Sequence, residues 1–172
     1  MLCCCASVHV MFQGREFYLT LLKQFQARYK FNVEAMFEQL KPFPYIMSRT
    51  LRLALHSAHM CLLCLGDLAR NKEQLRHGSN YAEAKKWYEQ AQMVSPRHGR
   101  PYNKLAIIAM HVKRLPDAVY YFMRSLNAVN PFLNGREILQ SIFEDVRKRQ
   151  AAADLNAARR RGVDPHRQQA HR

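Results

Sequence analysis

Cys61 and Cys64 stand in a Cys-x-x-Cys spacing, which metal-thiolate and dithiol redox sites use. A structural zinc needs four ligands, and no second pair lies near them in the sequence. Both thiols fall inside an apolar helical run, where cysteine behaves as a small core residue, so packing is preferred over zinc or redox chemistry. His56 and His59 share that run at i, i+3 and are read as packing or solvent-facing groups rather than metal ligands. Elsewhere there is no nucleophile-base set, no glycine-rich phosphate loop and no cluster of metal-ligating side chains. No catalytic residue, metal ligand or cofactor is therefore expected, and the chain is read as a non-enzyme.

Charge is the stronger signal. The 172 residues carry 27 Lys and Arg against 13 Asp and Glu, a formal net charge of +14. Acidic partners follow: nucleic acid, a phosphorylated peptide or an anionic surface. From Arg147 to Arg172 there are eight basic and two acidic residues, so this tail holds a disproportionate share. It reads equally as a solubilising disordered extension and as a nucleic-acid contact.

The five cysteines do not form a disulfide framework, because Cys3, Cys4 and Cys5 are consecutive and the other two share a helix. A reducing compartment, cytoplasmic and nuclear, is expected. The terminal cysteines could be acylated, but no other lipidation signal accompanies them. No stretch of 18 apolar residues occurs, so no membrane span is expected.

The elements that must position these residues are helices. Six glycines and seven prolines fall at joints. Residues 1–14 read as an irregular start. Helical periodicity runs over about 15–29, and again over 32–40, where Asn32 can cap and Glu34 lies in the first turn. Lys41-Pro42-Phe43-Pro44 breaks the pattern. A long helix is expected over about 46–72, then helices over 81–94, 102–112, 116–127 and 135–149, with fraying through the Ala-rich 151–158. The organisation expected is an irregular 1–14, a helical domain over 15–150 and a basic, disordered 151–172.

A repeat underlies the middle helices. Leu62, Leu65-Gly66 and Ala69 are followed by Ala84, Tyr88, Ala91 and Pro96. Tyr102, Leu105-Ala106 and Ala109 are followed by Ala118, Phe122, Ser125 and Pro131. These offsets fit the tetratricopeptide pattern. Small residues at Gly66, Ala84, Ala106 and Ala118 let antiparallel helices approach, and Tyr88 and Phe122 fill the space between hairpins. The fold class expected is all-α, built of antiparallel helical hairpins; a generic helical bundle would fit the same pattern less specifically.

Four motifs in order carry a resemblance. They are Cys61-Leu62-Leu63-Cys64-Leu65-Gly66-Asp67-Leu68-Ala69-Arg70, then Ala84 to Gln92, then Pro96 to Ala106 with Pro-Tyr-Asn at 101–103, then Asp117 to Leu126. Together they resemble the Ever-Shorter-Telomeres/SMG family of telomerase-associated and nonsense-mediated mRNA decay proteins, nearest its endonuclease-bearing type, over about residues 15–150. The resemblance implies a partial 14-3-3-like domain of tetratricopeptide hairpins that binds phosphorylated segments of the upstream-frameshift helicase. It implies that Arg70 faces a phosphate, which a guanidinium can hold bidentately. It also implies that Asn103, on the facing helix, binds peptide backbone. A salt bridge from Arg70 to Asp67 is the competing role.

Three departures accompany the resemblance. Asn71 stands where the family has tyrosine after the arginine. The family's second pocket cation would fall upstream of Met1, leaving one clamp, unless Arg15, Lys23 or Arg28 replaces it. The family's nuclease domain needs clustered carboxylates at strand ends, and this sequence has no strand pattern. Three functional readings follow: a non-catalytic adaptor for a phosphorylated or acidic protein segment; a basic helical protein that binds RNA or telomeric DNA; and a truncated product without independent function, with an apolar face exposed near 15–40.

Overall fold

The computed structural model describes residues 2–39 and 48–160. The expected breaker at 41–44 and the last residues of the basic tail, 161–172, lie outside the described residues, as do the side chains of Cys3, Cys4 and Cys5. The described residues form seven helices: α1 (Leu2–Tyr29), α2 (Val33–Gln39), α3 (Arg49–Leu75), α4 (Ala82–Val94), α5 (Gly99–His111), α6 (Leu115–Leu126) and α7 (Gly135–Arg160). The fold is all-α, of the tetratricopeptide and 14-3-3-like type. The chain divides after Leu133 into two compact units, the first holding α1 to α6 and the second holding α7.

In the first unit, α3 packs on α4 and α5 on α6, with α4 against α5 joining the two hairpins. α1 lies along α3, and α2 against α4. The repeat positions make this packing. Ala84, Ala106 and Ala118 are essentially inaccessible, as are Tyr88, Ala91, Phe122 and Ser125. Burying an aromatic ring of this size is worth about 1.5–3 kcal/mol relative to leaving it exposed. Gly66 has a sharper role. A Cβ there would overlap the Tyr88 ring, so α3 and α4 reach their separation because residue 66 has no side chain.

The helix ends follow local chemistry. Ser48 caps α3, its hydroxyl accepting from the Leu51 N–H at 3.2 Å. Asn32 caps α2 as expected, accepting from the Ala35 N–H at 3.0 Å, with Glu34 in the first turn. Lys30, His77 and Lys113 close α1, α3 and α5 in the left-handed region, at φ 53, 51 and 58. In each case the next residue's N–H reaches a carbonyl five residues back: Phe31 to Gln26, Gly78 to Glu73 and Arg114 to Ala109. That pattern satisfies carbonyls that a helix end otherwise leaves unpaired.

Two expected boundaries are corrected. Residues 2–14 are not irregular; they form the first half of α1. Gly14 does not break that helix, because it rests on Leu68 of α3, where an added Cβ would lie 3.4 Å from the nearer methyl. The helical part of the tail also runs further than expected, since α7 includes 151–160. Alanine has the highest helix propensity, and the Gln150 amide donates to Asp154 at 3.0 Å across one turn.

Candidate functional site

Asp67 of α3 is the centre of a polar cluster set among apolar helices. Lys104 of α5 places its Nζ 2.8 Å from one carboxylate oxygen and 3.0 Å from the other. The Tyr88 hydroxyl, from α4, donates to Asp67 Oδ1 at 2.7 Å. Arg70 Nη2, one turn along α3, lies 3.5 Å from the same oxygen. Three successive helices thus converge on one carboxylate.

Their burial decides the chemistry. The Arg70 and Lys104 side chains are each 17% exposed and that of Asp67 is 33% exposed. The Tyr88 hydroxyl is held well above its ordinary pKa, first by burial and then by the Asp67 carboxylate, so it stays a proton donor. Two cations face one anion, which leaves the cluster with a surplus positive charge. Arg70 Nε is buried and has no hydrogen-bond partner. A guanidinium and an ammonium together, each partly exposed, are donors of the kind that hold oxyanions.

Asn103 precedes Lys104 on α5 and is 4% exposed. Its Oδ1 also has no hydrogen-bond partner. The Lys104–Asp67 contact shows that α5 faces α3 at this level. Of the two residues singled out from the sequence, Arg70 lies 3.5 Å from Asp67, in the salt bridge given above as its competing role, and Asn103 is buried next to Lys104 in the α5 sequence. Arg15 is engaged elsewhere, 3.1 Å from Glu16 and 3.6 Å from Glu83, and Lys23 and Arg28 are exposed on α1. Lys104 was not singled out from the sequence, because a lone lysine two helices downstream has no local signature.

The histidines and cysteines take other roles. His56 is exposed and His59 is buried, with the His59 Nδ1–H donating to the Ala91 carbonyl at 3.0 Å. The His98 ring lies 5.8 Å from that of His56 and 5.2 Å from that of His59. His59 has its pKa lowered to about 4, chiefly by burial. The Ala91 carbonyl opposes that shift, while His98, His56 and Arg100 add to it. Cys61 is buried, its thiol pushed up to about 11 by burial first and Cys64 second, so it is not poised as a thiolate. Among the described residues, no group of three or more His, Cys, Asp and Glu is arranged to hold a metal ion. Nor is any described helix long and apolar enough to cross a membrane.

The α7 unit presents a different surface. Beyond Ile142 the helix is exposed almost throughout, including Arg147, Lys148, Arg149, Arg159 and Arg160.

Stacked helical hairpins define a class, that of helical repeat scaffolds. The sequence comparisons give the family. Residues 84–170 match the model described as the Est1 DNA/RNA binding domain, and residues 8–76 match the telomerase activating protein Est1. Telomerase-binding protein EST1A of Danio rerio is 39% identical over 140 residues, which is 81% of this chain and 9% of that protein. Nonsense-mediated mRNA decay factor SMG7 of Arabidopsis thaliana is 37% identical over 99 residues, 55% of this chain and 9% of that protein. Nonsense-mediated mRNA decay factor SMG5 of Danio rerio is 30% identical over 123 residues, 68% of this chain and 11% of that protein. The chain belongs to the Est1/SMG family, and it spans about a tenth of the length of these relatives.

Proposed function

We propose that this chain is a non-catalytic adaptor that docks a phosphorylated or acidic protein segment, of the upstream-frameshift helicase type, in the groove around Arg70 and Asn103. Its setting would be an mRNA-decay or telomere assembly, in cytoplasm and nucleus, as the names of its relatives suggest. The observation that carries the reading is the surplus of positive charge at Asp67, where Arg70 and Lys104 share one carboxylate. Asn103 is buried on α5, its Oδ1 without a partner in the fold, so it would take part only if the helices shift to admit the peptide. A fluorescence titration with phosphorylated and plain helicase-type peptides tests this. Tighter binding of the phosphorylated form, lost on Arg70→Glu, supports it; equal binding of both, or no change on Arg70→Glu, overturns it.

A second reading rests on α7. Its exposed basic residues fall within the match to the Est1 DNA/RNA binding domain, which suits phosphate-backbone contacts to RNA or telomeric DNA. Deleting 151–172 should then weaken RNA binding and flatten its salt dependence. Unchanged affinity and slope would remove the tail from the contact.

A further inference from the structure

We propose that the groove between α1 and α3 is a second docking site, separate from the Asp67 cluster. Its occupant is an extended segment of a partner protein that carries one bulky apolar side chain, with acidic side chains two and four residues away.

The groove has an apolar part and a basic part. Leu65, Leu68 and Ala69 of α3, with Met11 and Phe12 of α1, line the first. Lys72 and Arg76 continue the same stripe of α3 and line the second. Arg15 of α1 and Glu83 of α4 complete the lining and lie 3.6 Å apart, so the carboxylate present is already engaged. Asp67 and Arg70 fall on the adjoining stripe of α3 and line no part of this groove.

Size sets the apolar group. The cavity is about 190 Å³. Sites for drug-sized ligands and cofactors run to about 300–1,000 Å³, whereas a cavity of about 150 Å³ accepts a benzene ring. One phenylalanine or leucine side chain therefore suits it. Phe12 is 61% exposed, an aromatic ring of the lining left largely in water. A guest side chain laid against it removes that apolar surface from water.

Charge sets the flanking groups. Lys72 and Arg76 form no ion pair with any described residue. With Arg15 they set three cations against Glu83. The partial negative charge at the end of α3, about half a unit, offsets only part of that surplus.

Spacing sets the order. Lys72 stands four residues beyond Leu68 and Arg76 eight, which is about 6 and 12 Å along the helix. In an extended peptide alternate side chains share a face, and positions two and four residues away lie about 7 and 13 Å along. The two ladders match. A nucleic-acid base fits less well, because the aliphatic side chains of the floor offer no hydrogen bond to a base edge.

The test titrates the full chain with the labelled peptide Glu-Ser-Glu-Ser-Phe-Ser-Glu-Ser-Glu, which presents the acidic pair in either chain direction. One control has alanine for phenylalanine, and the other has glutamine for every glutamate. The parent peptide should bind at least about tenfold more tightly than either control, through burial of one ring and pairing of two charges. Lys72→Glu with Arg76→Glu should abolish the preference over the glutamine control. Phe12→Ser should cut the preference over the alanine control. Phe12 and Arg76 are exposed and Lys72 is half-buried, so these changes spare the core, and thermal melts verify it. A phosphoserine peptide of the kind directed at Arg70 should not displace the parent peptide. If the three peptides bind alike, or none binds, the second site is refuted, while the adaptor reading stands on its own titration. If both variants keep the wild-type preferences, the peptide sits elsewhere and the proposal is wrong. If the phosphoserine peptide displaces the parent, the two share the Arg70 groove and there is no second site. If a ten-nucleotide thymidine strand displaces it, and both variants weaken that strand's binding, the groove takes nucleic acid and the proposal is likewise wrong.

Discussion

Lys104 and Asp67 are 37 positions apart in sequence, and their charged groups are 2.8 Å apart in the fold. The contact ties α5 to α3 across the two stacked hairpins. It also puts a second cation beside Arg70, which shares the same carboxylate.

Removing the shared anion should therefore destabilise the fold. Asp67→Ala leaves Arg70 and Lys104 facing each other, and takes away the acceptor of the buried Tyr88 hydroxyl. The expected loss is about 2–4 kcal/mol by urea denaturation, with Tyr88→Phe costing about 1–2 kcal/mol for the single hydrogen bond.

Gly66→Ala should destabilise although alanine is the better helix former. Propensity favours alanine by at most about 1 kcal/mol, while overlap with the Tyr88 ring forces α3 and α4 apart at about 1–3 kcal/mol. Gly99→Ala should cost more, because its Cβ meets backbone atoms of Ser125 and Phe132 that cannot rotate away. Thermal melts of the two variants should rank them in that order.

Lys113→Gly should have the opposite sign. Lys113 closes α5 at φ 58, a conformation that costs an L-residue about 1 kcal/mol and glycine almost nothing. A rise in melting temperature is expected; a fall would mean that the lysine side chain contributes more than the strain it carries.

Stability should decline in acid through His59. Its folded pKa of about 4 lies below the ordinary 6.5 of the unfolded chain, so the unfolded state takes up the proton first as pH falls. The contribution is complete above about pH 6.5 and is lost between there and about pH 4, amounting to about 3 kcal/mol. His56, His98 and Arg100 face it and deepen the effect. Denaturation midpoints across this range should fall in the wild type and fall less in His59→Gln.

Much of this molecule was legible in its sequence, because the repeat is written in local spacing. Ala84, Tyr88, Ala106, Ala118 and Phe122 are buried where the offsets put them. The helix expected over 102–112 starts earlier in the structure. Gly99 already belongs to α5, and Pro101 sits in its first turn, where the missing N–H has no partner to lose. Gly99 is needed there because the chain runs directly against Ser125, whose hydroxyl donates to the Gly99 carbonyl at 2.8 Å. Arg70 was singled out through its motif. Lys104 was not, because its meaning comes from a contact between helices that periodicity does not encode. The extension of α1 through Gly14 was hidden for the same reason: Leu68 of α3 supports it.

The central claim is that phosphate is read at Arg70. The most direct measurement is the Arg70 Nε–Hε resonance of the nitrogen-15-labelled chain, titrated with a phosphoserine peptide and its serine counterpart. Arg70 shares the Asp67 carboxylate with Lys104 and is partly exposed, so a phosphate bound to its guanidinium should shift this signal strongly, and the plain peptide should hardly move it. If the phosphorylated peptide binds and leaves this resonance unmoved, while signals of the basic α7 residues shift, the anion is read elsewhere and the account is wrong.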